Sequence, residues 1–401
     1  MAIVNCRLLS ALAIMLCWAA SGSPVYADWA ACQAKPTRGC LMEEALRGES
    51  GPLTGKERLD VLILASAAEH LEYTTAADIQ EAQRLAGTGQ PGFRYFNLAI
   101  RGLAATHQQQ EAFALAAAQE TVMSTVAFAE LTRAMVKAGD PDKFTSLLKQ
   151  LPPSVDPKFL AAEFVKALAA ADKIDDAVAA IADIGSRLSE LNTADMLTAV
   201  AQAYAKRGDT KMAAQYFDKA QAILQAGLQK AASGAPVPAT DISRPAIEIP
   251  FRLVGLQALR GDVEAVRKSL PSLPPPNADR PSEIARVNGY QRVVQSLLQA
   301  KQYQLALEVA KSMPGSAMDK TRALVSVAFV DAANGRIDDA RAITASLGDM
   351  DPRTQAGILA SIAVATAKGG DVTSALQTVA QIGDPTIRKA ALFMIAEALP
   401  Q

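Results

Sequence analysis

Chemistry needs particular side chains at particular distances, and this chain offers few. Gly87-Thr88-Gly89-Gln90-Pro91-Gly92 matches the letters of a dinucleotide-binding glycine loop. Such a loop works between a strand and a helix, where its glycines let phosphate reach the helix N-terminus. Here a helical pattern precedes it and Pro91 opens the next helix, so it reads as an inter-repeat loop. Ser146-Leu147-Leu148-Lys149 matches the S-x-x-K of penicillin-binding enzymes, but the K-T-G partner motif is missing. There are two histidines, His70 and His107, each near a helix C-terminus, where the dipole favours them. No third ligand suggests itself for a metal. The pairs Asp175-Asp176 and Asp338-Asp339 fall in the first turns of helices, so capping explains them better than acid–base catalysis. No enzymatic activity, metal or cofactor is expected.

Cys32 and Cys40 are the chemically informative pair, and their meaning depends on compartment. Residues 1–27 read as a secretory signal peptide. Arg7 and the Met1 amine form a weak positive start, Leu8 to Ala20 an apolar run, and Val25-Tyr26-Ala27 a small-x-small cleavage site. Cys17 follows Leu16, where a lipoprotein signal wants a small residue. The apolar run is shorter than the roughly 20 residues of a membrane span, and no transmembrane segment is expected. Cleavage after Ala27 removes Cys6 and Cys17. Two cysteines this close in an exported chain read as a structural disulfide. Its loop would contribute about 2.5 kcal/mol in the chain-entropy model. A redox or metal pair is the rival, weakened by the spacing and the lack of a nearby His. The expected location is the periplasm, reached across the inner membrane.

These residues must be positioned by helices. Of 401 residues, 50% are hydrophobic and only 5% aromatic, and 80 are alanine. That composition favours helix over a β-sandwich or barrel. Lys+Arg is 40 against Asp+Glu 41. Such balance argues against a nucleic-acid partner or a polybasic membrane patch. From Glu57 onward apolar residues recur at three and four, as in Leu59, Leu62, Ile63 and Ala67. Breakers punctuate them: His107, Gly139, Asp172, Gly208, Gly261, Lys301, Gly335 and Gly370 fall in register, at steps of 32, 33, 36, 53, 40, 34 and 35. Most steps sit near the period of a two-helix repeat. Five residues after each lie Ala112, Phe144, Ala177, Ala213, Val266, Ala306, Ala340 and Ala375. Two helices joined by a tight turn approach closely there, and a small side chain fits.

Leu197, Val200, Ala201, Tyr204, Gly208, Ala213, Phe217 and Ala220 resemble one tetratricopeptide repeat at nearly every signature position. Residues 354–387 match more loosely, through Leu359, Ile362, Ala363, Gly370, Ala375 and Ile382. The resemblance is to exported bacterial proteins of this type and covers roughly residues 57–399. It implies an all-α, right-handed α-solenoid of about nine antiparallel helix pairs plus a closing helix, with capping units at its ends. The expected organisation is a signal peptide over 1–27, a disulfide-bridged segment over 28–56, an array over 57–230, a linker over 231–250 and a second array over 251–401. The linker and Pro271–Pro281 look too rich in proline for helix. The unpaired last helix is placed near 385–399, with Arg388 and Lys389 on its solvent face.

In the resembled family the first helix of each pair lines a concave groove. The register then places Arg94, Asn97, Arg101, Arg133, Lys137, Lys166, Thr198, Gln202 and Lys206 on the groove of the first array. Asn288, Gln291, Gln295, Gln299 and Arg322 fall on that of the second. The first set is markedly basic, which suits an acidic peptide or carboxylate, or is simply a solvated face. Reversing Arg101 and Arg133 to Glu is expected to abolish such binding without disturbing the fold. The expected function is a periplasmic adaptor or scaffold binding a protein or peptide segment. The alternative is a structural part of an envelope or polymer-export assembly, acting through its edges.

Overall fold

The structure is a computed structural model. It describes residues 29–49, 51–65, 73–86, 93–119, 121–140, 144–153, 155–184, 188–233, 244–275, 280–348 and 350–400. His70, the glycine loop at 87–92 and the cleavage site at Ala27 lie outside the described residues.

All described elements are helical apart from one isolated bridge, Arg47 to Pro52. Two short helices come first, α1 (Trp29–Ala34) and α2 (Arg38–Ala45). Nine pairs follow: α3 (Gly55–Leu64) with α4 (Ala76–Ala86), α5 (Phe93–Ala105) with α6 (Gln109–Ala117), α7 (Thr121–Lys137) with α8 (Phe144–Leu148), α9 (Pro157–Ala170) with α10 (Ile174–Ile184), α11 (Glu190–Lys206) with α12 (Thr210–Ala232), α13 (Pro245–Leu259) with α14 (Val263–Ser269), α15 (Arg280–Gln299) with α16 (Tyr303–Ser312), α17 (Ala317–Ala333) with α18 (Ile337–Ser346) and α19 (Pro352–Lys368) with α20 (Val372–Ala380). Helix α21 (Pro385–Ala398) closes the array.

The turns explain the pairing. All eight register residues have positive φ, from 58° at His107 to 94° at Gly370. His107, Asp172 and Lys301 do so without being glycine. The amide after each reaches back five residues, as Asp140 N to Met135 O and Asp209 N to Tyr204 O. This is the Schellman closure, which needs a left-handed residue between the helices. In three of the turns the next residue, Asp209, Asp262 or Asp371, then caps the following helix through its carboxylate. The eight residues five positions on, from Ala112 to Ala375, are all buried, at 4% exposure or less.

The array does not end in caps; it closes on itself. Helices α3, α5, α7, α9, α11, α13, α15, α17, α19 and α21 each pack on the next, and α21 packs on α3. One core cluster therefore holds Leu41, Ala45, Leu53, Val61 and Leu62 together with Ile387, Ala391, Phe393 and Ile395. Helix α2 lies on α21 as an outer helix would, supplying the partner that α21 lacks in sequence. Tyr73 meets the Phe393 ring edge-on at 5.1 Å. The Lys389 Nζ donates to the Arg47 carbonyl, and Arg388 donates twice to the Ile382 carbonyl. Lys389, expected in solvent, is thus a seam contact, and Arg388 holds the turn before its own helix.

The linker expected over 231–250 is shorter than its prolines suggested. Helix α12 continues to Ala232, and α13 begins at Pro245, with Pro250 inside it. Pro245 costs nothing at a first helical position, where no backbone donor is needed. Pro250 forfeits one hydrogen bond, but its helix buries Ile249, Phe251, Val254 and Leu256. Likewise Leu270–Ser272 is a 3-10 turn and Pro281 is the second residue of α15. Ile249 and Leu256 share a core cluster with Leu197, Ala220 and Leu224, so packing is continuous across the interval.

Candidate functional site

Cys32 and Cys40 form a disulfide that ties α1 to α2, with Cys32 buried against the seam. No described helix is long and apolar enough to cross a membrane. Both facts are compatible with a secreted protein.

The sequence-derived groove residues lie on the inner helices, and the structure gives four of the six basic ones, Arg94, Arg101, Arg133 and Lys166, acidic partners. Arg94 pairs with Asp60 at 3.1 Å and also bonds the Tyr95 hydroxyl. Burial, and then the hydrogen bond to Asp60, push the Tyr95 hydroxyl above its usual range. Arg101 donates to Glu130 at 2.7 Å, and Arg133 lies 3.5 Å from Glu130 and 4.0 Å from Glu163. Lys166 bonds Glu163 at 2.9 Å and reaches Asp195 at 4.0 Å. Asp195 also takes Arg252, and Arg292 at 3.8 Å. Charges therefore alternate from α5 through α7 and α9 to α11, where Asp195 takes cations from both α13 and α15. This ladder stitches each inner helix to the next.

The acids Asp60, Glu130, Glu163 and Asp195 escaped the sequence reading. Glu130 and Glu163 stand three residues before Arg133 and Lys166, one helical turn away and able to pair. That spacing was the available signal. The double reversal of Arg101 and Arg133 would therefore crowd new carboxylates against Glu130, which is 5% exposed. It is not neutral for the fold, contrary to the expectation above. Lys206 is exposed and makes no ion pair among the described residues, and Asn97 has a shielded Oδ1 without a partner. Lys137 is exposed at the end of α7.

Gln202 leads to a developed cavity. Its Nε2 donates to Gln299 Oε1 at 2.9 Å, joining α11 to α15 over the top of α13. Two helices can touch across a third only on a concave face, so this face is the inner one. Helix α13 lies recessed beneath this bridge, and it follows α12, at 23 residues the longest described helix. Gly227 on α12 admits Ile249 to 3.1 Å of where a Cβ would sit, and Gly289 on α15 admits the Phe251 ring even closer, to 2.4 Å.

The recess is a chamber of about 940 Å³. Its floor is Arg252, Gly255, Leu256 and Leu259, and its walls carry Lys166, Asp195, Thr198 and Gln202 on one side and Asn288 to Gln299 on the other. A second cavity continues it toward the N-terminal ends of the inner helices, sharing Arg252, Asn288 and Arg292. Desolvation in the chamber, then the nearby Arg252 charge, hold the Arg292 guanidinium below its usual value. The walls are polar and carry five amides, and Gly255, Leu256 and Leu259 make the floor apolar beside Arg252. Such a surface can orient a neutral hydrogen-bonding ligand while excluding water beneath it.

The chain is thus a helical-repeat protein whose array closes into a ring. No family model matches it, and neither does any curated protein. Among solved structures it is similar to Ton1535 from Thermococcus onnurineus NA1, at 15% identity over 84% of this chain and 98% of that one, with a TM-score of 0.25. It is also similar to a circular tandem repeat protein with novel repeat topology and enhanced subunit contact surfaces. That likeness has 12% identity over 90% and 95% of the two chains and a TM-score of 0.24. At such scores neither bears on the fold, which rests on the contacts above.

Proposed function

We propose that this protein is a non-catalytic scaffold of tetratricopeptide-like repeats, exported to the periplasm, that binds a protein or peptide segment on its inner face. The observation that carries the reading is the chamber between α9, α11, α13 and α15, with its polar walls. The test is site-specific photo-crosslinking in native envelope extract. A photoreactive residue at Gln202, on the inner face, should capture a defined partner. One at Lys219, on the outer helix α12, should not. Capture only from Lys219 would refute inner-face binding.

One observation favours the edge-assembly alternative. Among the described residues, Val126, Ile284 and Met318 are the large apolar side chains left exposed, at 43%, 53% and 71%. Each lies near the start of an inner helix, so they mark one rim. A rim of this kind suits stacking against another envelope component. Charged substitutions at Ile284 and Met318 would then release the protein from its assembly while leaving inner-face crosslinks intact.

A further inference from the structure

The chamber has one wall unlike any other inner surface. Asn288, Gln291, Gln295 and Gln299 follow one another along a single face of α15 at intervals of three and four residues. On α5, α7 and α9 the equivalent positions mix paired cations such as Arg101, Arg133 and Lys166 with apolar residues such as Ala105, Ala129 and Ala162; here all four are neutral amides. Asn288 and Gln295 are exposed and make no hydrogen bond to another described residue. Gln299 engages only Gln202. The Gln291 Nε2 is a shielded donor without a partner.

An amide side chain offers a donor and an acceptor together, as a peptide group does. Helical rise places these four side chains about 4.5–6 Å apart over roughly 16 Å. An extended polypeptide presents equivalent groups every two residues, about 6.7 Å apart. Long glutamine side chains absorb the small mismatch. Some five residues of extended chain would therefore run in step with the wall. The cavity also has the right length, since residues from Arg280 to Gln299 line it from one end of α15 to the other.

Other ligands fit less well. Lys166, Arg252 and Arg292 converge on Asp195, which leaves Lys206 as the single lining cation without an ion pair among the described residues. Among the described residues no aromatic ring lines the 940 Å³ chamber and Phe159 alone lines its continuation, so the flat apolar face of a sugar would find little platform. We propose that the chamber takes an extended segment of polypeptide lying along α15. The amides of Asn288, Gln291, Gln295 and Gln299 grip its main chain, with Gln202 facing them from α11. The inference rests on the scaffold reading and specifies how the segment is read. Recognition goes through the backbone, so it tolerates sequence and is indifferent to salt.

The test uses the full mature chain and arrays of short unstructured peptides in neutral, acidic and basic compositions. Each has a twin N-methylated at alternate residues, which removes backbone donors while keeping the side chains. All three classes should bind, at low and high salt alike, and the methylated twins should lose about tenfold or more, as expected for one or two hydrogen bonds. Asn288→Leu with Gln295→Leu should weaken binding by a similar factor with an unchanged melting curve. Equal binding of the methylated twins overturns the proposal, as does binding of acidic peptides alone; in both cases the scaffold reading survives. Binding of a neutral hexasaccharide in place of peptides overturns it as well. If no peptide class binds, the scaffold reading and this inference fall together.

Discussion

Replacing Leu41 by alanine tests whether the ring is closed. Leu41 is fully buried, and the cluster around it combines α2 and α3 with α19, α20 and α21. Truncating a leucine in such a place costs about 3 kcal/mol, within a range of roughly 2–5. If α2 completes the last helix pair, that loss falls on the seam as a whole. Sub-global opening of α21 becomes easier by the same amount, and amide exchange there should quicken by about a hundredfold. The readout is hydrogen exchange resolved over α21, with α11 and α12 as internal reference. Exchange in those two helices should change little, because repeat arrays transmit stability through nearest neighbours. If residues 29–53 were only an appendage, the substitution would loosen α1 and α2 and leave α21 untouched. That result would refute ring closure.

Four further outcomes follow from the same contacts. Thiol labelling under denaturing, non-reducing conditions should find neither Cys32 nor Cys40 free, and reduction should loosen α1 and α2 by about 2.5 kcal/mol. Gly289→Ala should destabilise by about 1–2 kcal/mol in chemical unfolding: the new methyl presses on the Phe251 ring, and better helix propensity offsets only part of that. Reversing Arg101 and Arg133 to Glu should lower the melting temperature, in contrast to the Asn288→Leu and Gln295→Leu pair. The Asp351 carboxyl is held below its usual range by the Thr354 hydroxyl, and that of Asp371 by the Ser374 amide. Their contribution is present above the ordinary carboxylate pKa and is lost as pH falls through the lowered values. Asp351→Ala with Asp371→Ala should therefore reduce stability at neutral pH and flatten the acid limb of the stability–pH curve.

The helix pairs were legible because their turns are local. A left-handed residue, a small residue five positions on and an acidic cap all lie within one turn of chain. His107, Asp172 and Lys301 could also be placed by register, though only the first two are of types that favour positive φ after glycine and asparagine. The ring was not legible, because Leu41 and Phe393 are ordinary apolar letters and nothing local marks them as partners. The start of α13, residues 245–250, was hidden by its prolines, where a local rule lost to the burial of Ile249, Phe251 and Val254. The basic residues of the candidate groove were correctly spaced along the inner helices. Their neutralising acids were missed because an inner face was read for one sign of charge only. The chamber walls were visible as Gln202 and the row from Asn288 to Gln299. Their convergence was not, since it depends on how far α13 is recessed.

Closure also sets an order of events. Lys389 and Arg47 are 342 residues apart in sequence. Bringing such distant segments together costs about 5 kcal/mol of loop entropy in a flexible chain. A chain made from its N-terminus must present Leu41, Val61 and Leu62 long before α21 exists to cover them. The intermediate helix pairs remove most of that entropy by stacking, since each one carries the growing arc closer to its start. The final docking of α21 is then a late, nearly rigid capture, and the apolar lip at α2 and α3 is the part of the nascent protein most in need of a chaperone until it occurs.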